Sequence, residues 1–138
     1  MSSASLDTLI HCTVVSPEAA LFDGKVEHFV APGWDGELGI FKQHAPMVAR
    51  LGVGVVRLHR GGDDVEKLAI RGGLLQIESD KAKLLVSHAI HGDDVDPVAL
   101  KTELEDVLQE LKSPSTSERF KELLTQRRWL EIQLSMTA

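Results

Sequence analysis

The feature that most constrains the fold is a change of period near residue 90. From Leu9 to about His88 the chain consists of short apolar runs, rich in β-branched residues and broken by glycine, which is the pattern of strands and turns. Beyond Asp96 the apolar residues recur at three- and four-residue steps instead, which is the pattern of helices. Candidate strands are LIHCTVVS, KVEHFVAP, GELGI, VGVVRLHR, VEKLAIRG, LLQIES and KAKLLVSH. In KVEHFVA, Val26, His28 and Val30 share one face and Glu27, Phe29 and Ala31 the other, so this strand is expected to be covered on both sides. Turns are expected at Phe22-Asp23-Gly24, Arg60-Gly61-Gly62-Asp63 and Ser79-Asp80-Lys81, each joining antiparallel neighbours. So many short strands, with no long helix between them, indicate a small sandwich or barrel.

Asp96 is placed to cap a helix opening at Pro97, where the missing N–H costs nothing. Leu100, Leu104, Val107, Leu108 and Leu111 then form one apolar stripe. The segment from Lys112 to Ser117 breaks the pattern. Ser115 with Glu118 has the form of a capping box for a second helix, from about Thr116 to Leu134. A connection this short favours an antiparallel hairpin. The fold expected is an all-β sandwich N-terminal domain over residues 1–90, followed by a C-terminal antiparallel two-helix hairpin over 91–138.

Composition narrows the function classes. A net charge of −6 repels nucleic acid and anionic lipid headgroups, so no nucleic-acid partner is expected. The single cysteine, Cys12, permits neither an internal disulfide nor a thiolate zinc site, and a reducing, intracellular setting is the default. The first residues show neither a signal peptide nor an arginine-rich transit peptide, and no apolar stretch is long enough for a membrane span.

The stretch Glu37 to Met47, ELGIFKQHAPM, brings a carboxylate and an imidazole within reach of an active-site reading. No nucleophile elbow accompanies it among the six histidines, and Cys12 lies inside an expected strand, so no catalytic residue is assigned. Gly52-Val-Gly54-Val-Val-Arg57 only begins like a dinucleotide fingerprint, and more strand follows it. These glycines are read as places where strands bend or pack closely. His88, His91, Asp93, Asp94 and Asp96 cluster without a recognised metal-ligand spacing, and a capping, solvated linker accounts for the acids. No metal is assigned.

The second helix is unusual. Phe120, Leu123, Leu124, Leu130 and Leu134 make one apolar face with Arg127 in its middle, while Trp129, Ile132 and Met136 project on the opposite side. Two readings stay open. Either Arg127 snorkels and Trp129 is a lone exposed aromatic, or the helix moves between more than one docking partner. The basic set Arg119, Lys121, Arg127 and Arg128 suits an acidic protein surface.

The segments VVSPEAALFDGKVEHFVAPG, GELGI with HAPMVARL after it, GVVRL, IRGGLLQIESDKAKLLV and AIHGDDVD run in an order and spacing that resemble the epsilon subunit of an F-type ATP synthase. The pairing of GELGI with a His-Ala-Pro step four residues later is the specific part. The resemblance implies a non-catalytic subunit of the central rotor stalk, coupling ATP synthesis to an ion gradient. It further implies a sandwich that binds the gamma subunit and the c-ring, and a hairpin that lies folded or extends along gamma toward the alpha/beta head to restrain ATP hydrolysis. Carried onto this chain, Glu37 and His44 are the c-ring contacts. Arg119, Lys121, Arg127, Arg128 and Trp129 are the inhibitory contacts to beta and gamma.

Some members bind ATP through an Ile/Leu-Asp-x-x-Arg-Ala motif. Here Val95-Asp96-Pro97-Val98-Ala99-Leu100 keeps Asp96 but has Ala99 where that motif has arginine, so ATP binding to the hairpin is expected to be weak or absent and no cofactor is assigned. The implied location is the cytoplasmic side of a bacterial plasma membrane, peripheral, with no direct membrane insertion. The rival reading is an unrelated β-sandwich adaptor whose helices recognise another acidic partner.

Overall fold

The computed structural model describes residues 9–113 and 116–137. Among them the chain forms eight strands: β1 (Ile10–Val15), β2 (Ala20–Val26), β3 (His28–Gly33), β4 (Gly36–Phe41), β5 (Met47–Gly61), β6 (Asp64–Glu78), β7 (Lys81–Val86) and β8 (Ala89–His91). Two helices follow, α1 (Pro97–Leu111) and α2 (Ser117–Ser135). The alternation in KAKLLV shows how sequence sets this structure. Ala82, Leu84 and Val86 are buried while Lys81, Lys83 and Leu85 are exposed, because successive strand side chains point to opposite faces.

The strands share one hydrogen-bonded sheet in the order β2-β1-β7-β6-β5-β3-β4, with β8 beside β6. Neighbours pair antiparallel except β1 and β7, which run parallel. The open sheet folds over into the two layers of a sandwich because β5 and β6 are each 15 residues long and serve both layers. One end of β6 pairs with β7 and the other with β8, while β5 pairs with β3 chiefly through Arg57 to His59.

The passage between layers is marked by a change in which positions face the core. On β5 the buried side chains shift from Leu51 to Val56 and Leu58; on β6 they shift from Leu68 and Ile70 to Leu75 and Ile77. Both shifts fall at glycines. Gly72 and Gly73 adopt φ of 74° and 141°, and a Cβ on Gly73 would overlap the Leu85 carbonyl. A Cβ on Gly54 would lie 2.6 Å from Pro32 Cβ. The Gly52-x-Gly54 pair therefore permits close packing of strands, as the sequence indicates.

Several boundaries differ from expectation. Phe22-Asp23-Gly24 is no turn but the middle of β2, and the turn lies at Ser16 to Ala19, closed by reciprocal backbone bonds of 2.9 and 3.3 Å. Pro17 supplies the turn residue, and Gly24 leaves room for the Phe22 ring. KVEHFVAP is two strands that part at Glu27, whose N–H donates to the His59 carbonyl at 2.7 Å. The break resets the alternation, so Val26, Phe29 and Ala31 are all buried and neither face is the mixed one expected. VEKLAIRG and LLQIES join as the single strand β6 through the glycines, and β5 begins earlier, at Met47.

In the hairpin, Asp96 caps α1 by accepting from the N–H groups of Val98 and Ala99 at 3.2 and 3.3 Å. The cap of α2 is Thr116, whose hydroxyl accepts from Arg119 N–H at 3.0 Å, and the proposed capping residue Ser115 lies outside the described residues. Leu100 and Val107 of α1 meet Leu123 and Leu130 of α2, with Leu104, Leu111 and Leu134 half-buried around them. The hairpin is closed against the sandwich, with α2 packed on β5 and β6.

Candidate interaction surfaces

Helix α2 is covered on two sides. Leu123 and Leu130, seven residues apart, enter the seam with α1. On another side Trp129 and Arg71 of β6 border one cavity, and Met136 and Lys67 of β6 border another. Gln133 is also buried; its Nε2 donates to the Trp129 carbonyl at 3.4 Å. The apolar face expected of this helix therefore divides. Phe120 and Leu124 sit on the flank turned from α1 and stay about two-fifths exposed, at 40% and 41%.

The basic residues of α2 have different settings. Arg119 clamps Glu110 of α1 through Nε and Nη2 at 2.6 and 2.8 Å and reaches Glu122 through Nη1 at 3.2 Å. These bonds hold the Glu110 carboxyl below the usual carboxylate range and raise the Arg119 guanidinium further. Arg127 turns away from the seam to Glu131 at 3.4 Å. Arg128 Nη2 donates to the Val53 carbonyl of β5 at 3.3 Å. Lys121 is exposed, and Trp129 is half-buried.

At the sheet end, Glu37 lies on the edge strand β4 and pairs with Arg57 of β5 at 3.4 Å. His44 lies in the loop after β4, its Nδ1 donating to the Ala45 carbonyl at 2.7 Å. That loop is tied to the β6–β7 turn: Asp80 accepts from Gln43 N–H at 2.7 Å and pairs with Lys42 at 3.6 Å. Glu37 faces the start of β4, against Pro32, whereas His44 follows its far end. The structure does not bring these two side chains together.

Two features escaped the sequence. His28 stacks between Phe41 and His59, with ring centroids 4.9 and 4.1 Å away, across three adjacent strands. Burial and then the neighbouring His28 hold His59 below its ordinary value. The second feature is an outward apolar strip, Val48 on β5, Leu74 on β6 and Leu85 on β7. Beside it Trp34 is 64% exposed. Only the strand register, which aligns Arg50, Leu74 and Leu85, could have found it. Cys12 is buried in β1, and burial pushes its thiol up to about 12. Among the described residues no three His, Cys, Asp or Glu side chains gather as a metal set, and no helix is long and apolar enough to cross a membrane.

Residues 9–92 match the model of the ATP synthase delta/epsilon chain β-sandwich domain. This chain belongs to the epsilon-subunit family of F-type ATP synthases. It is 36% identical to an ATP synthase epsilon chain of Leptospira borgpetersenii over 118 residues, covering 86% of this chain and 88% of that one. It is 38% identical to that of Nitrosomonas europaea over 91 residues, covering 66% and 65%. A chain in the Euglena gracilis mitochondrial ATP synthase (OSCP/F1/c-ring) shares the fold with a TM-score of 0.84 at 17% identity, covering 95% of this chain and 82% of that one. That likeness of fold extends over both parts of this chain, sandwich and helices.

Proposed function

We propose that this chain is a non-catalytic subunit of the central stalk of a bacterial ATP synthase, coupling rotation to ATP synthesis and restraining ATP hydrolysis through its hairpin. The observation that carries the reading is the state of α2. Its exposed flank presents Phe120, Leu124 and Arg127, while the side toward the sheet rests on half-buried Trp129 and Met136 and one Arg128 bond to a carbonyl. A helix so held can leave the sandwich and offer the same residues elsewhere. On release, Arg119, Arg127 and Arg128 exchange internal partners for an acidic surface, which fits the beta subunit of the catalytic head.

The sandwich offers gamma the strip of Val48, Leu74 and Leu85, since apolar residues on adjacent strands give a protein partner a surface to exclude water from. Glu37 and His44 contact the c-ring at separate points rather than as one patch. The complex lies on the cytoplasmic side of the plasma membrane, with this chain peripheral. ATP binds the hairpin weakly or not at all, because Ala99 lacks a guanidinium and the Asp96 carboxylate is engaged as a helix cap.

Co-expression with gamma tests the coupling half. The chain is expected to co-elute with gamma, and Glu37→Ala with His44→Ala is expected to weaken assembly with the c-ring and proton-coupled synthesis. A chain that fails to co-elute with gamma is the adaptor of the rival reading.

A further inference from the structure

The chain has seven arginines. Four are in ion pairs: Arg57 with Glu37, Arg60 with Asp64 and Glu66, Arg119 with Glu110 and Glu122, and Arg127 with Glu131. Among the described residues Arg50, Arg71 and Arg128 are in none. These three line one open cleft of about 490 Å3 at the glycine crease that no Asp or Glu lines, and Arg71 also borders the neighbouring cavity lined by Glu103, Glu118 and Glu122. In a chain of net charge −6, a carboxylate on the rim would have relieved their mutual repulsion.

Two of the guanidiniums are held in place, each in its own way. The Arg50 Cζ lies 3.7 Å from the centroid of the Trp34 ring, a cation–π contact that fixes the plane of its donor fork. Arg128 reaches the cleft from α2 and has one Nη2 bond, to Val53, which leaves its other donors available. Arg71 precedes Gly72, and a Cβ added at Gly72 would meet Ser87 Oγ at 3.7 Å, so the hydroxyl stands beside the crease. Guanidinium forks match phosphate and carboxylate oxygens alike. One protein carboxylate carries a single negative charge, however, and three forks around a cleft of this volume fit a larger group of higher charge.

We propose that this cleft binds a multiply charged phosphoryl group, with Arg50, Arg71 and Arg128 as its forks, Ser87 as a hydroxyl donor and Trp34 as its wall. Its donors come from β5, β6 and α2, so the site is complete only with the hairpin closed. It is separate from the Asp96 region and does not depend on the rotor reading.

The test is titration of the full chain with sodium pyrophosphate, followed by calorimetry and by fluorescence of the Trp129→Phe variant, in which Trp34 is the only remaining indole. Saturable binding is expected with a dissociation constant below about 1 mM, weakened about tenfold in each of Arg50→Gln, Arg71→Gln and Arg128→Gln. It should fall with added salt and be unchanged in Arg127→Gln, whose partner lies outside the cleft. Melting temperatures report whether each variant folds, and Arg50→Lys, which keeps the charge without the fork, should retain part of the binding. Failure with pyrophosphate but arginine-dependent binding to phosphatidylcholine vesicles containing phosphatidic acid supports the site with a lipid phosphate as its source. No binding to either probe at up to about 10 mM pyrophosphate overturns the proposal. So does binding lost in Asp96→Asn but kept in the arginine variants, or binding of polyglutamate alone.

Discussion

The sandwich and the hairpin are built from the same kinds of residue to opposite ends. Among the described residues, the sandwich core contains seventeen buried side chains drawn from seven strands, whereas the hairpin seam has four, Leu100, Val107, Leu123 and Leu130. Even with half-buried Val95, Leu104, Leu111 and Leu134 around them, these four side chains offset less conformational entropy than the sandwich core does, so the hairpin gains more from docking. A part that transmits torque must not deform, while a part that regulates needs two states separated by a few kcal/mol. The difference in core size is what the two proposed roles require.

Four experiments test that contrast. The largest effect is expected for Phe29→Ala, since Phe29 is fully buried in the sandwich; a loss of about 3 to 5 kcal/mol should appear as a lower urea midpoint for the whole molecule. If only the hairpin loosened, the sandwich would not be the rigid body. Leu123→Ala, also fully buried, removes a quarter of the hairpin seam. Faster amide exchange is expected throughout 97–135, with β-strand amides unchanged; loss of protection in both regions would mean that they unfold as one unit.

The third experiment uses pH. The Cys12 thiol is raised from 9.0 to about 12, so the folded state retains a proton that the unfolded state releases. Its contribution is complete below pH 9.0 and is lost as pH rises toward about 12. Sandwich stability should therefore decline on alkalinisation, with a smaller decline in Cys12→Ala. The smallest effect concerns the exposed Arg119–Glu110 pair. Glu110 is lowered from 4.5, so its contribution is present above that value and lost as pH falls below it. Slight opening of the hairpin in that range should vanish in Arg119→Ala, and an equal response in that variant would assign the opening to other carboxylates.

The two regions were not equally legible. The helices were, because Asp96-Pro97 and the spacing of Leu100, Leu104, Val107 and Leu111 are local signals that tertiary structure left in place. The strands were found but their ends were not. Glu27 and Gly72-Gly73 look alike as breaks in a pattern, yet one separates two strands and the other bends a single one, and only pairing partners decide between them. The same limit applied to the surfaces. Glu37 and His44 are close in sequence and lie at opposite ends of a strand, while Arg50, Arg71 and Arg128 are far apart in sequence and line one cleft. The split of Phe120 and Leu124 from Leu123 and Leu130 followed from where α1 docks, which helical periodicity does not specify.

We propose that the hairpin is a releasable brake on a rigid coupling body. Its most direct test is the ATPase rate of the isolated catalytic head, with gamma present, after addition of the full chain or of a chain ending at residue 94. Both chains are expected to bind gamma, and hydrolysis is expected to be slower with the full chain than with the shortened one. Equal rates, with binding intact, would contradict it.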